Sequence, residues 1–353
     1  MCYNQYMDRF PDTPRRLFPL IFIASLSSLA YELTLIRIFS LTLWYHFAFM
    51  VISIAMLGIG ASGTLLSVVP ALRDLRRIPA YGLALAIGIP VSYLLANLVP
   101  FDPVRLSWDR LQVLYIGVYY LVLGVPFLAF GLIVSTAFSA IKEYPGLVYA
   151  SDLLGAGAGS LLVFCLLFLG GPEQAVFILS SLAAAGLLLY VRGWMLPVSG
   201  LVIALNVLML VLHPLISHPR MSPYKSLEAA LRFPGAELLR TYDSPYGRVD
   251  VFKSPAVRYA PGLSLRYLEP LPEQTGIAVD GGDIQAVTEE KDPGKLSFLR
   301  SLPSSLPYLL AEKDDVLILE PKGGLAVLAA KYQGAKRIQG VESNPMVMRV
   351  AQE

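Results

Sequence analysis

Charged residues, cysteine and histidine are all scarce in this sequence, and each shortage excludes a class of protein. Charged side chains make up 15% of the 353 residues, against roughly 25% in an average soluble domain, which excludes a wholly water-soluble protein. The only cysteines, Cys2 and Cys165, leave no basis for a disulfide framework or a thiolate metal site. The histidines, His46, His213 and His218, lie in or beside the most apolar part of the chain. Residues 219–353 therefore offer no histidine for a triad or a metal, and we predict no metal site.

The charged residues are concentrated toward the C-terminus. Residues 1–213 contain 11 Lys and Arg and 9 Asp and Glu, whereas residues 214–353 contain 17 and 17. This distribution predicts a transmembrane helical domain over residues 1–213, embedded in a lipid bilayer, followed by a water-exposed region. The net charge is +2 and the second part has no basic cluster, so nucleic acid is not an expected partner.

Seven apolar runs are each long enough to be read as a transmembrane helix, because the hydrocarbon core of a bilayer needs about 20 helical residues. They cover approximately residues 17–39, 46–69, 78–99, 111–140, 147–169, 174–191 and 195–213.

Two signals disagree about the side of the membrane on which the C-terminal part lies. Basic residues beside membrane spans tend to lie in the cytoplasm, which is expected here for the loop at residues 73–77 and for Arg15 and Arg16. Seven spans would then place the C-terminal part on the opposite side of the membrane. A nucleotide-like cofactor is expected in the cytoplasm. If the loop after residue 319 binds such a cofactor, this expectation has more weight than the distribution of basic residues. We therefore expect a cytoplasmic C-terminal region.

Charged side chains within the apolar runs need an explanation, because a charge near the bilayer centre costs several kcal/mol unless it is paired or faces a cavity. Glu32 and Arg37 form either a structural contact or part of a polar cavity for a substrate. Asp152, near the start of the fifth run, either caps that helix or belongs to a site. Gly155 and Gly159 follow it and predict a close helix–helix contact.

A linker over residues 214–237, rich in Pro, Ser and Arg, contains a predicted short amphipathic helix after Ser222 and Pro223. Residues 238–311 are predicted to form a small β-rich segment. Its hairpin elements are the partly alternating runs GRVDVFKS, LSLRYLEP and GIAVDGGDIQAVT. Residues Lys295–Ala311 favour a helix broken by its prolines.

Residues 312–353 contain the pattern of one βαβ unit. Val316–Leu319 is a continuous apolar run, as in a parallel strand covered on both faces. It is followed by a glycine loop, a helix over Leu325–Tyr332 and a second strand over Arg337–Val341 that ends at Glu342. In such units the glycines admit a ligand to the backbone, and an acid about 20 positions on binds ribose hydroxyls.

With these segments the chain resembles multi-spanning membrane proteins with a C-terminal spermidine synthase-like domain, related to S-adenosylmethionine-dependent methyltransferases. The resemblance covers nearly the whole chain. It rests on LAYELTLIRIFS, YASDLLGAGAGS, SPYKSLEAAL, SPYGRVDVFKSP, APGLSL, VDGGDIQAVT and VLILEPKGGLAVLAAKYQGAKRIQGVESNP. It implies an α-helical membrane bundle, then a small β-rich segment, then the first βαβ unit of a truncated Rossmann-like α/β transferase domain.

The resemblance also implies a set of cofactor-binding residues. Gly323 and Gly324 would be the close-approach glycines, and Glu342 would be the ribose acid. Asp280 and Gln285 match the Asp-Gly…Gln segment of the small β-domain in aminopropyltransferases, with one extra residue between Gly281 and Gln285.

The loop departs from the family pattern at two positions, Glu320 and Lys322, where relatives usually carry glycine. The carboxylate of Glu320 would either repel the carboxylate of the cofactor or bind its amino group. Lys322 adds bulk where close backbone approach is wanted.

The function implied is a membrane-anchored transferase in a bacterial inner membrane. It would move an aminopropyl or methyl group from S-adenosylmethionine or decarboxylated S-adenosylmethionine to a small-molecule amine or other acceptor, and a homo-oligomer is compatible with this function. The acidic catalytic segment of aminopropyltransferases would lie beyond Glu353, so we expect this chain to be an inactive fragment or one half of a split protein.

Two other functions remain open at this point. In a transporter or flippase-like protein the soluble domain would be a non-catalytic sensor or relic, and Glu32, Arg37 and Asp152 would suit transport. NAD binding by the loop fits less well, because the β-rich segment has no role in it.

Overall fold

The computed structural model describes residues 13–216, 220–289, 292–310 and 314–352, and the chain divides into two compact units, Met1–Arg220 and Met221–Glu353. In the described part of the first unit, seven helices are long and apolar enough to cross a membrane, which confirms the predicted number. They are α1 Thr13–Thr42, α2 Ala48–Val68, α3 Ile78–Leu98, α4 Leu111–Ala140, α5 Pro145–Leu169, α6 Gly171–Tyr190 and α7 Met195–Ile216.

Helix α1 lies inside the bundle and packs mainly against α5, α6 and α2. Its side chains Leu20, Ile21 and Tyr31 are almost completely buried. The outer helices are apolar all round, so one side of each packs on protein while residues such as Met56 remain exposed. This is the pattern of a helix whose second surface faces lipid.

Gly155 and Gly159 bring α5 against α1, as the sequence predicts. A Cβ atom added to Gly155 would overlap the backbone carbonyl of Phe22, and one added to Gly159 would overlap that of Leu26. The Ser25 hydroxyl donates a 2.8 Å hydrogen bond to the backbone carbonyl of Asp152 at the same contact. Two helices can approach this closely only where no side chain separates their backbones.

The second unit begins with the short helix α8, Ser226–Leu231, within the predicted linker. Four strands follow: β1 Glu237–Tyr242, β2 Val249–Lys253, β3 Gln274–Val279 and β4 Ile284–Thr288. They form one antiparallel sheet in the order β1-β2-β3-β4, with a register shift in β1 between Leu238 and Arg240.

Each face of this sheet carries a small core, because strand side chains alternate between faces. Phe252 and Ala278 pack with Leu227 and Ala230 of α8. On the other face, Val249 and Ile277 pack with two valines of the C-terminal helix. The predicted hairpin runs GRVDVFKS and GIAVDGGDIQAVT contain β2, β3 and β4, whereas β1 lies in a segment for which no strand was predicted.

The prediction of a strand in LSLRYLEP is wrong. Alternation would place Leu263, Leu265 and Tyr267 on one face of a strand, but Leu263 and Tyr267 pack on the protein while Leu265 is exposed. The N–H of Tyr267 donates a 3.0 Å hydrogen bond to the carbonyl of Ser264, which closes a turn instead.

The helix predicted over Lys295–Ala311 is only partly correct. Residues Pro293–Ser301 and Pro303–Ser305 form 3-10 turns and α9, Leu306–Leu310, is α-helical, whereas Ala311 lies outside the described residues. The prolines explain the interruptions, since proline has no N–H for an intrahelical hydrogen bond.

The strand, helix and second strand of the predicted βαβ unit are present, but the first strand is not covered on both faces as predicted, since Leu317 and Leu319 are 62% and 69% exposed. Strand β5 Asp315–Leu319 leads to α10 Leu325–Tyr332, then to strand β6 Arg337–Val341 and helix α11 Pro345–Gln352. The two strands are parallel, and Leu317 pairs with Gln339. The chain is therefore a set of seven candidate membrane helices followed by a small mixed β/α C-terminal region.

Candidate functional site

The loop between β5 and α10 adopts a glycine-type backbone although two of its residues are not glycine. Glu320 and Lys322 have φ angles of 53° and 51°, and Gly324 has 82°. Non-glycine residues in this left-handed region cost about 1–2 kcal/mol each. Glu320 and Lys322 thus adopt the backbone conformation that glycine favours.

Gly323 and Gly324 are glycines for different reasons. A Cβ at Gly323 would overlap the backbone carbonyl of Ala286 in β4, so this residue packs the loop against the small sheet. Gly324 has open space around it and a left-handed φ, and it is the N-terminal flanking residue of α10. Of the two, only Gly324 has open space where a side chain would lie, while its own N–H donates a 2.8 Å hydrogen bond to the carbonyl of Pro321.

Glu342 ties the loop to the end of β6. One carboxylate oxygen accepts a 3.0 Å hydrogen bond from the N–H of Lys322, and the other accepts a 3.1 Å bond from the N–H of Asn344. The carboxylate of Glu320 accepts a 3.3 Å bond from the N–H of Ser343 in return. These reciprocal contacts fix both carboxylates at the carboxyl ends of the parallel strands, where ligands bind in open α/β sheets.

The pKa of Glu320 is lowered, first by hydrogen bonding to Ser343 and then by hydrogen bonding to Glu342. The charge of Lys322 also contributes in the same direction. The carboxyl group of Glu320 therefore ionises more readily than that of a free glutamate, and it lies beside the carboxyl group of Glu342.

Two cavities flank the loop, and both are lined by Lys322 and Glu342. The first has a volume of about 360 Å³ and is mainly apolar; Gly324, Val327, Leu328 and Met348 are among its lining residues. The second, of about 330 Å³, has more polar side chains: Tyr246, Asp283, Gln285, Glu320, Ser343 and Asn344. Each is at the lower end of the size of a small-molecule site, about 300–1,000 Å³.

The predicted pair Asp280 and Gln285 is placed in two different environments. Gln285 lines the polar cavity. The carboxylate of Asp280 accepts a 2.9 Å hydrogen bond from the N–H of Arg248, and its carbonyl accepts one of 2.8 Å from the Lys225 ammonium. Asp280 thus braces the β3–β4 turn against neighbouring segments, and its role in cofactor binding stays a prediction.

Sequence reasoning missed several residues of the polar cavity. Asp283 lies two positions before Gln285, so the period of a strand could have placed both on one face. Tyr246 comes from the β1–β2 connection, and no local pattern predicts that it reaches the loop.

The predicted intramembrane residues all lie in the first unit. Glu32 and Arg37 are both half-buried on α1, and a separation of five residues places them about 140° apart around the helix. They therefore point in different directions. Asp152 lies inside α5, which begins at Pro145, so it does not cap the helix.

Within the described ranges no group of three or more His, Cys, Asp or Glu side chains is arranged to hold a metal ion. Comparison with protein-family models, with curated proteins and with solved structures gives no match for this chain. The assignment of a cofactor to the loop therefore depends on its geometry and chemistry.

Proposed function

We propose that the C-terminal unit binds the nucleoside part of an S-adenosylmethionine-type donor, and that the protein is a membrane-anchored aminopropyl- or methyltransferase. The observation that carries this proposal is the position of Glu342. Its carboxylate is held through both oxygens at the end of β6, beside the glycine-type loop and between two cavities.

Each part of the donor has a matching surface. The ribose hydroxyls would donate to Glu342, since a carboxylate has about four acceptor positions and binds ribose in this way in dinucleotide-binding units. The adenine ring would occupy the apolar cavity beside Gly324 and Met348. The amino end of the donor would enter the polar cavity, where Glu320 and Asp283 supply negative charge.

The chemistry then requires mainly positioning. A sulfonium carbon is already activated toward substitution, so holding it in line with a nucleophile provides much of the rate increase. An amine acceptor would also need a base to remove its proton. Donor binding is thus assigned to Glu342 and to residues that line the two cavities, and no residue of this chain is assigned the proton transfer.

The experiment is a calorimetric titration of the detergent-solubilised full chain with S-adenosylmethionine, its decarboxylated form and methylthioadenosine. Gly324→Val should abolish binding of all three, because its side chain would fill the open space at the helix N-terminus. Gly334→Val is a matched control, since Gly334 also has a left-handed φ, 85°, with open space around it, but is not among the residues that line either cavity.

Binding that Gly334→Val preserves and Gly324→Val removes would support the proposal. The absence of heat with all three ligands, from a protein whose folding is verified by circular dichroism, would refute it. Equal affinity of wild type and Gly324→Val would place the donor elsewhere on the protein.

A further inference from the structure

Two leucines of the second unit are exposed to an extreme degree. Leu265 is 96% exposed and Leu268 is 90% exposed, the highest values among the large hydrophobic side chains in the described residues. Each leucine side chain left in water forgoes the favourable transfer that drives burial. Isolated exposed leucines are common, but two at one turn with almost complete exposure need a second environment to explain them.

The turn that carries the leucines is braced by the protein. The N–H of Ser264 donates a 3.1 Å hydrogen bond to the carbonyl of Ser301. Leu263 and Tyr267 pack against a core that includes Phe298 and Leu299. The side chains of Leu265 and Leu268 are therefore exposed, while neighbouring residues of the same turn are held by the protein.

The charged side chains around the turn are of both signs, with a small excess of positive charge. Arg266 lies between the leucines and is exposed, and Arg258 lines an open cavity of about 690 Å³ together with Leu268. The same cavity is lined by Lys253, Glu269 and Glu273, with Lys253 and Glu273 forming an ion pair of 3.9 Å. The five charges sum to +1, and an arginine between apolar tips is typical of segments that lie at a bilayer surface.

The chain itself tethers the second unit to the candidate membrane helices. Helix α7 ends at Ile216 and α8 begins at Ser226, a separation of ten residues that spans at most about 35 Å. Such a tether gives the second unit a high effective concentration at the membrane. Two leucines would bind a free protein to lipid only weakly, but a tethered unit needs little additional affinity to remain in contact.

From these observations we infer that residues Leu265–Leu268 form a membrane contact. The side chains of Leu265 and Leu268 enter the boundary between headgroups and acyl chains, and Arg266 binds lipid phosphate. Leu265, Arg266 and Leu268 line neither cavity of the donor loop, and the inference does not depend on donor binding.

The test uses the full chain in vesicles of phosphatidylcholine and phosphatidylglycerol. A variant with Cys2→Ser and Cys165→Ser receives a single environment-sensitive fluorophore at Leu265→Cys. The matched control has the fluorophore at Lys336→Cys, whose side chain is 75% exposed. Quenching is measured with lipids that carry a doxyl group near the headgroup and with aqueous iodide.

The inference predicts that doxyl lipids quench the fluorophore at position 265 and that iodide reaches it much less than at position 336. Equal iodide quenching at the two positions would overturn it. Protection from both quenchers would also overturn it, because a protein surface would then cover the turn. On anionic vesicles, Arg266→Gln in the same background should lower the ratio of lipid-inserted to water-exposed fluorophore about fivefold. An unchanged ratio would contradict the phosphate contact.

Discussion

The carboxylate of Glu342 accepts a 3.0 Å hydrogen bond from the backbone N–H of Lys322, twenty residues before it in the chain. This bond joins the loop after β5 to the end of β6, where we propose that a nucleoside binds. A loop held in this way presents its backbone in one conformation, which is the condition for recognising a ligand without an ordering cost.

Replacement of Lys322 by glycine should stabilise the loop. Lys322 has a left-handed φ of 51°, and removing its Cβ relieves about 1–2 kcal/mol of strain, partly offset by the greater freedom of glycine in the unfolded chain. We expect the opening free energy of residues 315–341 to rise by about 0.5–1 kcal/mol in hydrogen exchange measured by mass spectrometry. Lys331→Gly, in α10, should lower it by a similar amount. A loss of protection in Lys322→Gly would show that the lysine side chain makes a stabilising contact.

The two glycines of the loop should respond differently to alanine. Gly323→Ala places a methyl group against the carbonyl of Ala286, and overpacking of this kind costs about 1–3 kcal/mol. It should weaken exchange protection in β4 as well as in the loop. Gly324→Ala adds strain but no clash, so its effect should remain within the loop. Equal protection of β4 in the two variants would contradict the assigned contact.

The close contact of α5 with α1 should depend on glycine only on the face of α5 that meets α1. Gly159→Leu would force the two backbones apart at Leu26 and should lower the thermal unfolding temperature of the bundle in detergent markedly. Gly157→Leu has open space and changes helix propensity equally, so it should leave the unfolding temperature unchanged or raised. A similar fall of the unfolding temperature in both variants would mean that the glycines act through helix flexibility and not through the contact with α1.

Acid should remove a stabilising contribution of Glu320. Hydrogen bonding to Ser343 lowers the pKa of this carboxyl below its usual value near 4.5. A group whose pKa is lower in the folded state stabilises the fold above the unfolded value, and this stabilisation is lost as the pH falls through the folded value. Protection factors of the loop in wild type and Glu320→Gln should differ at about pH 6 and converge below about pH 4. A difference that stays constant with pH would exclude the carboxylate as its source.

Some elements could be predicted from sequence because their signals are local. The seven spans are long apolar runs, and the strand, loop, helix and strand after residue 314 follow from an apolar run, glycines and a second run. The bounds of α10 and β6 agree with the predicted Leu325–Tyr332 and Arg337–Val341.

Other features depend on contacts between distant residues, which one sequence does not reveal. The packing of Gly323 on Ala286 and the bracing of the β3–β4 turn by Asp280 and Lys225 are of this kind. The run LSLRYLEP shows the opposite failure. Its alternation of apolar and polar residues resembles that of a strand. The backbone instead forms a turn that begins at Ser264, and Leu265 is exposed.

The central claim is that Glu342 binds the ribose of a donor nucleoside. The most direct test is to titrate wild type and Glu342→Ala with methylthioadenosine and with its analogue that lacks the ribose 2′-hydroxyl. A hydrogen bond to a charged group contributes about 1.5–3 kcal/mol, so the analogue should bind wild type about 10–100-fold more weakly. The two ligands should bind Glu342→Ala equally. If the variant discriminates between them as strongly as wild type does, the ribose is recognised elsewhere and the account is wrong.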